Sequence, residues 1–386
     1  MQRDDKPITK KQFMEELYRY KKGSVSRRHF LGVTGLGMAT AVMGAAVPGL
    51  RPRPAFAAGD IGDRVVLATW PNYHDPANFE AFTEATGAYV QVNVFGSNEE
   101  MLAKLQAGAT GWDVFVPTNY TITTYVGEDL IEPLDTSLIP NYDPKAYDSR
   151  FSDAGSVDGK LYAVPKDWGT TGFVVNTKHT NGVKVDSWKQ FFDMTKNEFS
   201  GRTMVHDYQL TTIGNALKYF GYSFNSVDEK ELADAEKLLI ECKPHLFAIS
   251  SDYQPSIRNG DAWMSMAWTG DGKQLNNDMP EIAYVLGKEG GEIWSDYYAV
   301  PKGAPHRAAG YALINFLLDP QVNAKEVLAH GYPSADAHTN ALLPEELLND
   351  PILYPAQELL NALEFGAAVT LTDPNRAELM ARFKSA

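Results

Sequence analysis

The stretch RVVLATWPNYHDPANFEAFTEATGAYVQVNVF, residues 64–95, decides the fold class. Arg64 to Thr69 is a β-branched, apolar run that reads as a strand. Asp75-Pro76 then offers an N-cap and a proline at the first helical position, Phe79 and Phe82 mark one helical face, and Gly87 stops the helix. Tyr89 to Phe95 is the next strand. Ser97 with Glu100 forms a capping box for a helix bearing Met101, Leu102 and Leu105, and Asp113 to Val116 follows as a third strand. Strand and helix alternating at these spacings imply right-handed crossovers and a parallel sheet. In such sheets ligands lie beyond the carboxyl ends of the strands. Trp70, Asn72 and Tyr73 follow the first strand, and Thr118 to Tyr120 follow the third.

Beyond a segment rich in Pro, Asp and Tyr (121–160), the pattern resumes. Gly172 to Asn176 reads as a strand, Ser187 to Met194 as a helix with Trp188 and Phe191 inward, and Thr203 to His206 as another strand. Ser226 with Glu229 is the expected cap of a helix whose apolar face is Leu232, Ala235, Leu238 and Leu239. Ala262 to Trp268 and Glu281 to Leu286 are further strands. Tyr311, Ile314, Leu317 and Leu318 form one face of a helix closed by Asp319-Pro320. This second block is too long to extend one small sheet, so the expected architecture is α/β with two lobes.

The first 57 residues differ from the rest. Ser26-Arg27-Arg28-His29-Phe30-Leu31 precedes a Gly/Ala-rich apolar run to about Leu50, and Ala55-Phe56-Ala57 places small residues at a cleavage site. The pattern predicts a twin-arginine export signal cut after Ala57. A membrane anchor is the alternative, but five glycines between Gly32 and Gly49 and the following Arg51-Pro52-Arg53-Pro54 suit a durable span poorly. Ahead of the signal, Phe13, Leu17 and Tyr18 have near-helical spacing without an evident role. The whole chain of 386 residues has a formal charge of −14; residues 1–57 carry a net +7, so the remainder carries −21. Such a chain repels nucleic acid and anionic lipid and concentrates cationic small molecules. One cysteine, Cys242, excludes an internal disulfide and a thiolate metal cluster.

Catalytic motifs are absent: there is no Walker loop, no H-E-x-x-H and no G-x-S-x-G elbow, and the five histidines from His206 to His338 lack ligand spacing. No cofactor or metal is implied, and an enzyme is not expected. What recurs is an aromatic beside an aspartate. Trp268-Thr269-Gly270-Asp271 ends one strand, Trp294 and Asp296 share a face of another, and Asp207 ends a third and is followed by Tyr208. Singly, each tryptophan suits a core as well as a site. Together with Trp70, Tyr73, Tyr120 and Tyr332 they suit an organic cation, because aromatic faces hold methylenes and attract charge while carboxylates take ammonium hydrogens.

At these residues the chain resembles the periplasmic spermidine/putrescine-binding proteins, the extracellular components of polyamine ATP-binding-cassette importers. The likeness runs through TWPNY (69–73), SNEEMLAKL (97–105), DVFVPTNY (113–120), VPKDWGTTGFVVN (164–176), KEGGEIWSD (288–296), INFLLDPQV (314–322) and GYPSAD (331–336). It implies two lobes joined by a hinge and closing over a ligand: 58–170 plus 293–338, and 171–292 plus 339–386. It further implies that Trp70, Tyr73, Tyr120, Trp268, Trp294 and Tyr332 sandwich an aliphatic chain and that Asp207 and Asp296 bind amino groups. Asp271 matches an aspartate of the putrescine-type members, and Thr118 and Ser251 match smaller polar contacts. Three positions depart from the pattern: Asn72 stands where the family tends to have an acid, Leu210 where a glutamate is expected, and Gly366 where a glutamine is expected.

The resemblance therefore implies an exported monomer that delivers a di- or polyamine to an inner-membrane permease and does not bind nucleic acid. The departures keep open an amine that also carries a polar or carboxylate group. A ligand sensor for a receptor and an exported hydrolase are the competing classes.

Overall fold

The computed structural model describes residues 8–26, 29, 30, 33, 61–108 and 111–386; the Arg27-Arg28 pair and the expected cleavage site lie outside them. The chain forms two compact units. The first comprises Met1–Pro117, Tyr125–Asp167 and Tyr297–Asn349, and the second Thr118–Thr124, Trp168–Asp296 and Asp350–Ala386. The short excursion of 118–124 into the second unit has no counterpart in the boundaries read from the sequence.

In the first unit, β1 (Arg64–Thr69) pairs in parallel with β2 (Tyr89–Val94) and with β3 (Val114–Phe115), as the alternating pattern requires. Ahead of them an amino-terminal helix, α1 (Lys10–Lys21), buries Met14 and pairs Lys21 with Asp75 at 3.2 Å. Helix α2 (Pro76–Thr86) starts where Asp75 accepts from the Ala77 amide and ends at Gly87, whose φ of 83° favours glycine. The capping box before α3 (Asn98–Gln106) is half formed. Ser97 caps the Glu100 amide, but the Glu100 carboxylate accepts from Gly96 rather than Ser97.

The second unit is built on a mixed sheet. Strand β4 (Ala163–Asn176) enters it at Trp168 and is far longer than the five residues expected. It pairs antiparallel with β7 (Met264–Trp268) and with β8 (Ile282–Val285). Strand β5 (Thr203–Val205) lies parallel to β7 and to β6 (Leu246–Ile249), and β9 (Gly291–Ala299) pairs in parallel with β10 (Leu363–Phe365). Phe173, Met264 and Met266 of the sheet pack with Trp188 and Phe191 of α4 (Trp188–Lys196), with Ile213 and Leu217 of α5 (Gln209–Phe220), and with the expected face of α6 (Glu229–Cys242).

Two helix boundaries correct the sequence reading. The cap of α6 is Asp228, which accepts from the Lys230 and Glu231 amides; Ser226 instead bonds the Asp228 amide. A carboxylate satisfies two orphan donors and opposes the helix dipole, which a hydroxyl cannot match. Asp319-Pro320 does more than close α7 (Arg307–Leu317): Asp319 caps, and Pro320 opens, α8 (Pro320–His330).

Candidate functional site

The three strands β5, β6 and β7 run in the same direction, so their carboxyl ends lie together and the residues that follow them form one group. After β5 comes Asp207, exposed, whose carboxylate accepts from the Ser251 hydroxyl at 2.6 Å; Ser251 follows β6. Trp268 ends β7, and its indole N–H donates to Tyr208 at 3.2 Å while its ring packs on His206 at 4.6 Å between centroids. Tyr253, wholly buried, accepts from the Trp268 amide and donates to Asp271 at 2.8 Å. Burial raises the Asp271 carboxyl above its ordinary range, against the pull of Tyr253. Burial also holds the His206 imidazole down at about 3 despite the neighbouring Asp207, so that ring is neutral. The structure thus joins Asp207 with Ser251 and Trp268 with Asp271. It adds His206 and Tyr208, which flank Asp207 in sequence, and Tyr253, two residues after Ser251.

A second group forms where 118–124 meets β9. Thr118 bridges Asp296 through the backbone and donates its hydroxyl to that carboxylate at 2.7 Å. Asn119 accepts from the Ser295 amide and donates to the Gly366 carbonyl, pinning the segment that carries Tyr120. Alternation puts Glu292, Trp294 and Asp296 on one strand face. The Trp294 indole has room because position 169 is glycine: a Cβ there would lie 2.4 Å from the ring. Glu292 is buried with the Thr171 hydroxyl donating to it at 2.6 Å, and burial pushes its carboxyl up to about 7 against that bond. The departures Leu210 and Gly366 come together here, since a Cβ at Gly366 would meet Leu210 at 3.1 Å and Tyr120 at 3.3 Å. The surroundings of Gly366 are therefore apolar at the two positions where the resemblance implies polar side chains.

In the first unit, Trp70 packs edge-on against Phe95 with centroids 4.4 Å apart, and Asn72 is exposed at a φ of 54°, a left-handed turn position that asparagine tolerates. Tyr73 meets Tyr332 edge-on at 5.4 Å. Its other contacts were not foreseen. The hydroxyl donates to Asp167 at 2.5 Å, and the Lys166 ammonium stands 3.6 Å from the ring centroid while bonding Asp167 at 2.6 Å. Lys166 and Asp167 are 2 % and 1 % exposed. The Tyr332 amide donates to His330 Nδ1, and His330 Nε2 lies 3.3 Å from Lys166 Nζ and 3.5 Å from Asp167. Burial, then Lys166 and His74, hold His330 well below its usual range. Glu326 is pushed up by burial but held below its usual range by His74, 2.8 Å away. In the sequence, Lys166-Asp167 is a charged pair inside an otherwise uncharged run.

A model of the bacterial extracellular solute-binding proteins matches residues 77–355. The chain belongs to that family. It is 30% identical over 331 residues to the spermidine/putrescine-binding periplasmic protein of Escherichia coli, covering 83% of this chain and 93% of that one. It is also 30% identical over 309 residues to a putrescine-binding periplasmic protein of Pseudomonas aeruginosa, covering 76% and 84%. The solved spermidine/putrescine transporter substrate-binding protein of Streptococcus pneumoniae superposes with a TM-score of 0.70 at 28% identity, covering 84% of this chain and 99% of that chain. The fold is that of the periplasmic solute-binding proteins, and the family is one of transport rather than catalysis.

Proposed function

We propose that the protein captures a short diamine or related polyamine outside the cytoplasm and delivers it to the permease of an ATP-binding-cassette importer. The supporting observation is that Asp207, Asp271 and Asp296 each accept from a neutral hydroxyl beside a tryptophan or tyrosine. A hydroxyl orients a carboxylate without cancelling its charge, and a dehydrated ammonium group needs such an acceptor because an unpaired one loses several-fold more than a cation–π contact returns. In this reading the three aspartates hold ammonium groups, Thr118 and Ser251 orient two of them, and Tyr120, Trp268 and Trp294 line the methylenes, with Trp70, Asn72, Tyr73 and Tyr332 as further contacts. The two units act as the two lobes of the binding protein. The absence of an acid at Leu210 and of an amide at Gly366 favours a putrescine-length guest over a longer, more highly charged one.

The relatives, a putrescine-binding and a spermidine/putrescine-binding periplasmic protein, support the same reading. It includes export through the twin-arginine route with cleavage after Ala57, action as a monomer, and no enzymatic turnover. A thermal-shift screen tests it, because a ligand that binds only the folded state raises the melting temperature. Putrescine or spermidine should raise it by several degrees while glucose and glutamate leave it unchanged. A response to the sugar or the anion with none to any amine contradicts the proposal.

A further inference from the structure

Tyr73 and Asp167 offer the chemistry that a guest ammonium would seek: an aromatic face and a carboxylate, both nearly excluded from water. The chain fills that corner itself. The Lys166 side chain is a butylammonium group, a four-carbon diamine with one ammonium removed, and its Nζ lies 3.6 Å from the Tyr73 centroid and 2.6 Å from Asp167. Tyr73 donates its hydroxyl to the same carboxylate, so one carboxylate holds both the ammonium and the phenol. His330 adds no negative charge: its Nε2 lies 3.3 Å from Lys166 Nζ and its Nδ1 accepts from the Tyr332 amide. Tyr332, itself a candidate contact, lies against Tyr73.

We propose that Lys166 is a resident ammonium that occupies the Tyr73–Asp167 corner and thereby limits the guest to fewer cationic groups, selecting short diamines against tri- and tetra-amines. The inference rests on the amine-binding function proposed above. A third guest ammonium would need its own acceptor, and Asp167 is already neutralised. Left without one in a dehydrated site, that charge opposes binding. Lys166 is thus a specificity-determining residue that acts by prior occupation.

The test compares putrescine, spermidine and spermine by titration calorimetry on the wild type, on Lys166→Met, which keeps the stem and removes the charge, and on Lys166→Met/Asp167→Asn, which removes the anion as well. Lys166→Met should raise the spermidine-to-putrescine affinity ratio at least tenfold, and the double variant should return it to the wild-type value. A ratio unchanged within threefold in a folded Lys166→Met overturns the inference. Should that variant not fold, n-propylammonium should restore folding of Lys166→Ala whereas n-propanol does not; equal effects of the two overturn it. Tight putrescine binding with an unchanged ratio removes this inference alone, whereas no amine binding by the wild type removes the proposed function and this inference with it.

Discussion

The two units treat negative charge in opposite ways. In the first, Asp167 is buried and neutralised by Lys166, with Tyr73 closing the group. In the second, Asp207, Asp271 and Asp296 each accept a hydrogen bond from a hydroxyl, and burial raises the Asp271 carboxyl. A buried ion pair is costly to break but contributes little net stability over an apolar pair. A hydroxyl-oriented carboxylate contributes little to stability, yet it is ready for a cation. The first arrangement is satisfied by the fold itself, and the function proposed above gives the second a partner from outside.

Breaking the internal pair should have the largest effect on stability. Lys166→Met leaves Asp167 buried without its ammonium, so urea unfolding without ligand should show a loss of about 3–5 kcal/mol, whereas Asp207→Asn should cost under about 1 kcal/mol. Equal losses would erase the contrast between the units.

Glu292 sharpens the comparison through pH. Its folded pKa of about 7 lies above the ordinary 4.5, so the native state binds the proton more tightly than the unfolded chain. Stability from this group is full below about pH 4.5 and falls as pH rises to about 7. Glu292→Gln should remove that fall and raise stability at pH 8 by up to about 3 kcal/mol. Its neighbour in register, Glu364, is held below its usual range, after the opposing effect of burial, by Lys218 and Ser223, so it should not contribute to the same slope. Chemical unfolding at pH 5 and pH 8 measures the difference.

Gly169→Ala places a methyl group against Trp294 and should cost about 1–3 kcal/mol, as overpacking does. It should also alter the indole fluorescence, and an unchanged spectrum would argue against this placement of the ring. The smallest effect is expected at Ser251→Ala, which removes one hydroxyl from Asp207. Amine affinity should fall by no more than about tenfold, in line with one net hydrogen bond, with the melting temperature unchanged.

The fold was legible where local chemistry is decisive. Asp75-Pro76 and Gly87 bounded α2 within a residue, and the apolar spacing of Leu232 to Leu239 marked the buried face of α6. Caps that compete with nearby alternatives were harder to place: Ser226 has the pattern, but Asp228 carries the stronger acceptor two residues on. At the candidate site, the Trp294–Asp296 face followed from strand alternation, and the same rule extended by one step reaches Glu292. Lys166 and Asp167 were missed for a physical reason. A charged pair normally marks solvent, and only tertiary structure reveals that Tyr73 and Asp167 let an ammonium be buried. Asn119 and Tyr253 act through backbone and hydroxyl bonds to residues distant in sequence, which no local pattern encodes.

The most direct measurement is titration calorimetry of the protein with putrescine and with butane-1,4-diol, which has the same chain length and no charge. The account predicts saturable binding of the diamine, none of the diol, and a loss of at least a hundredfold, about 2.7 kcal/mol, in Asp296→Asn. Equal binding of the two molecules, or putrescine affinity unaltered in Asp296→Asn, would contradict it.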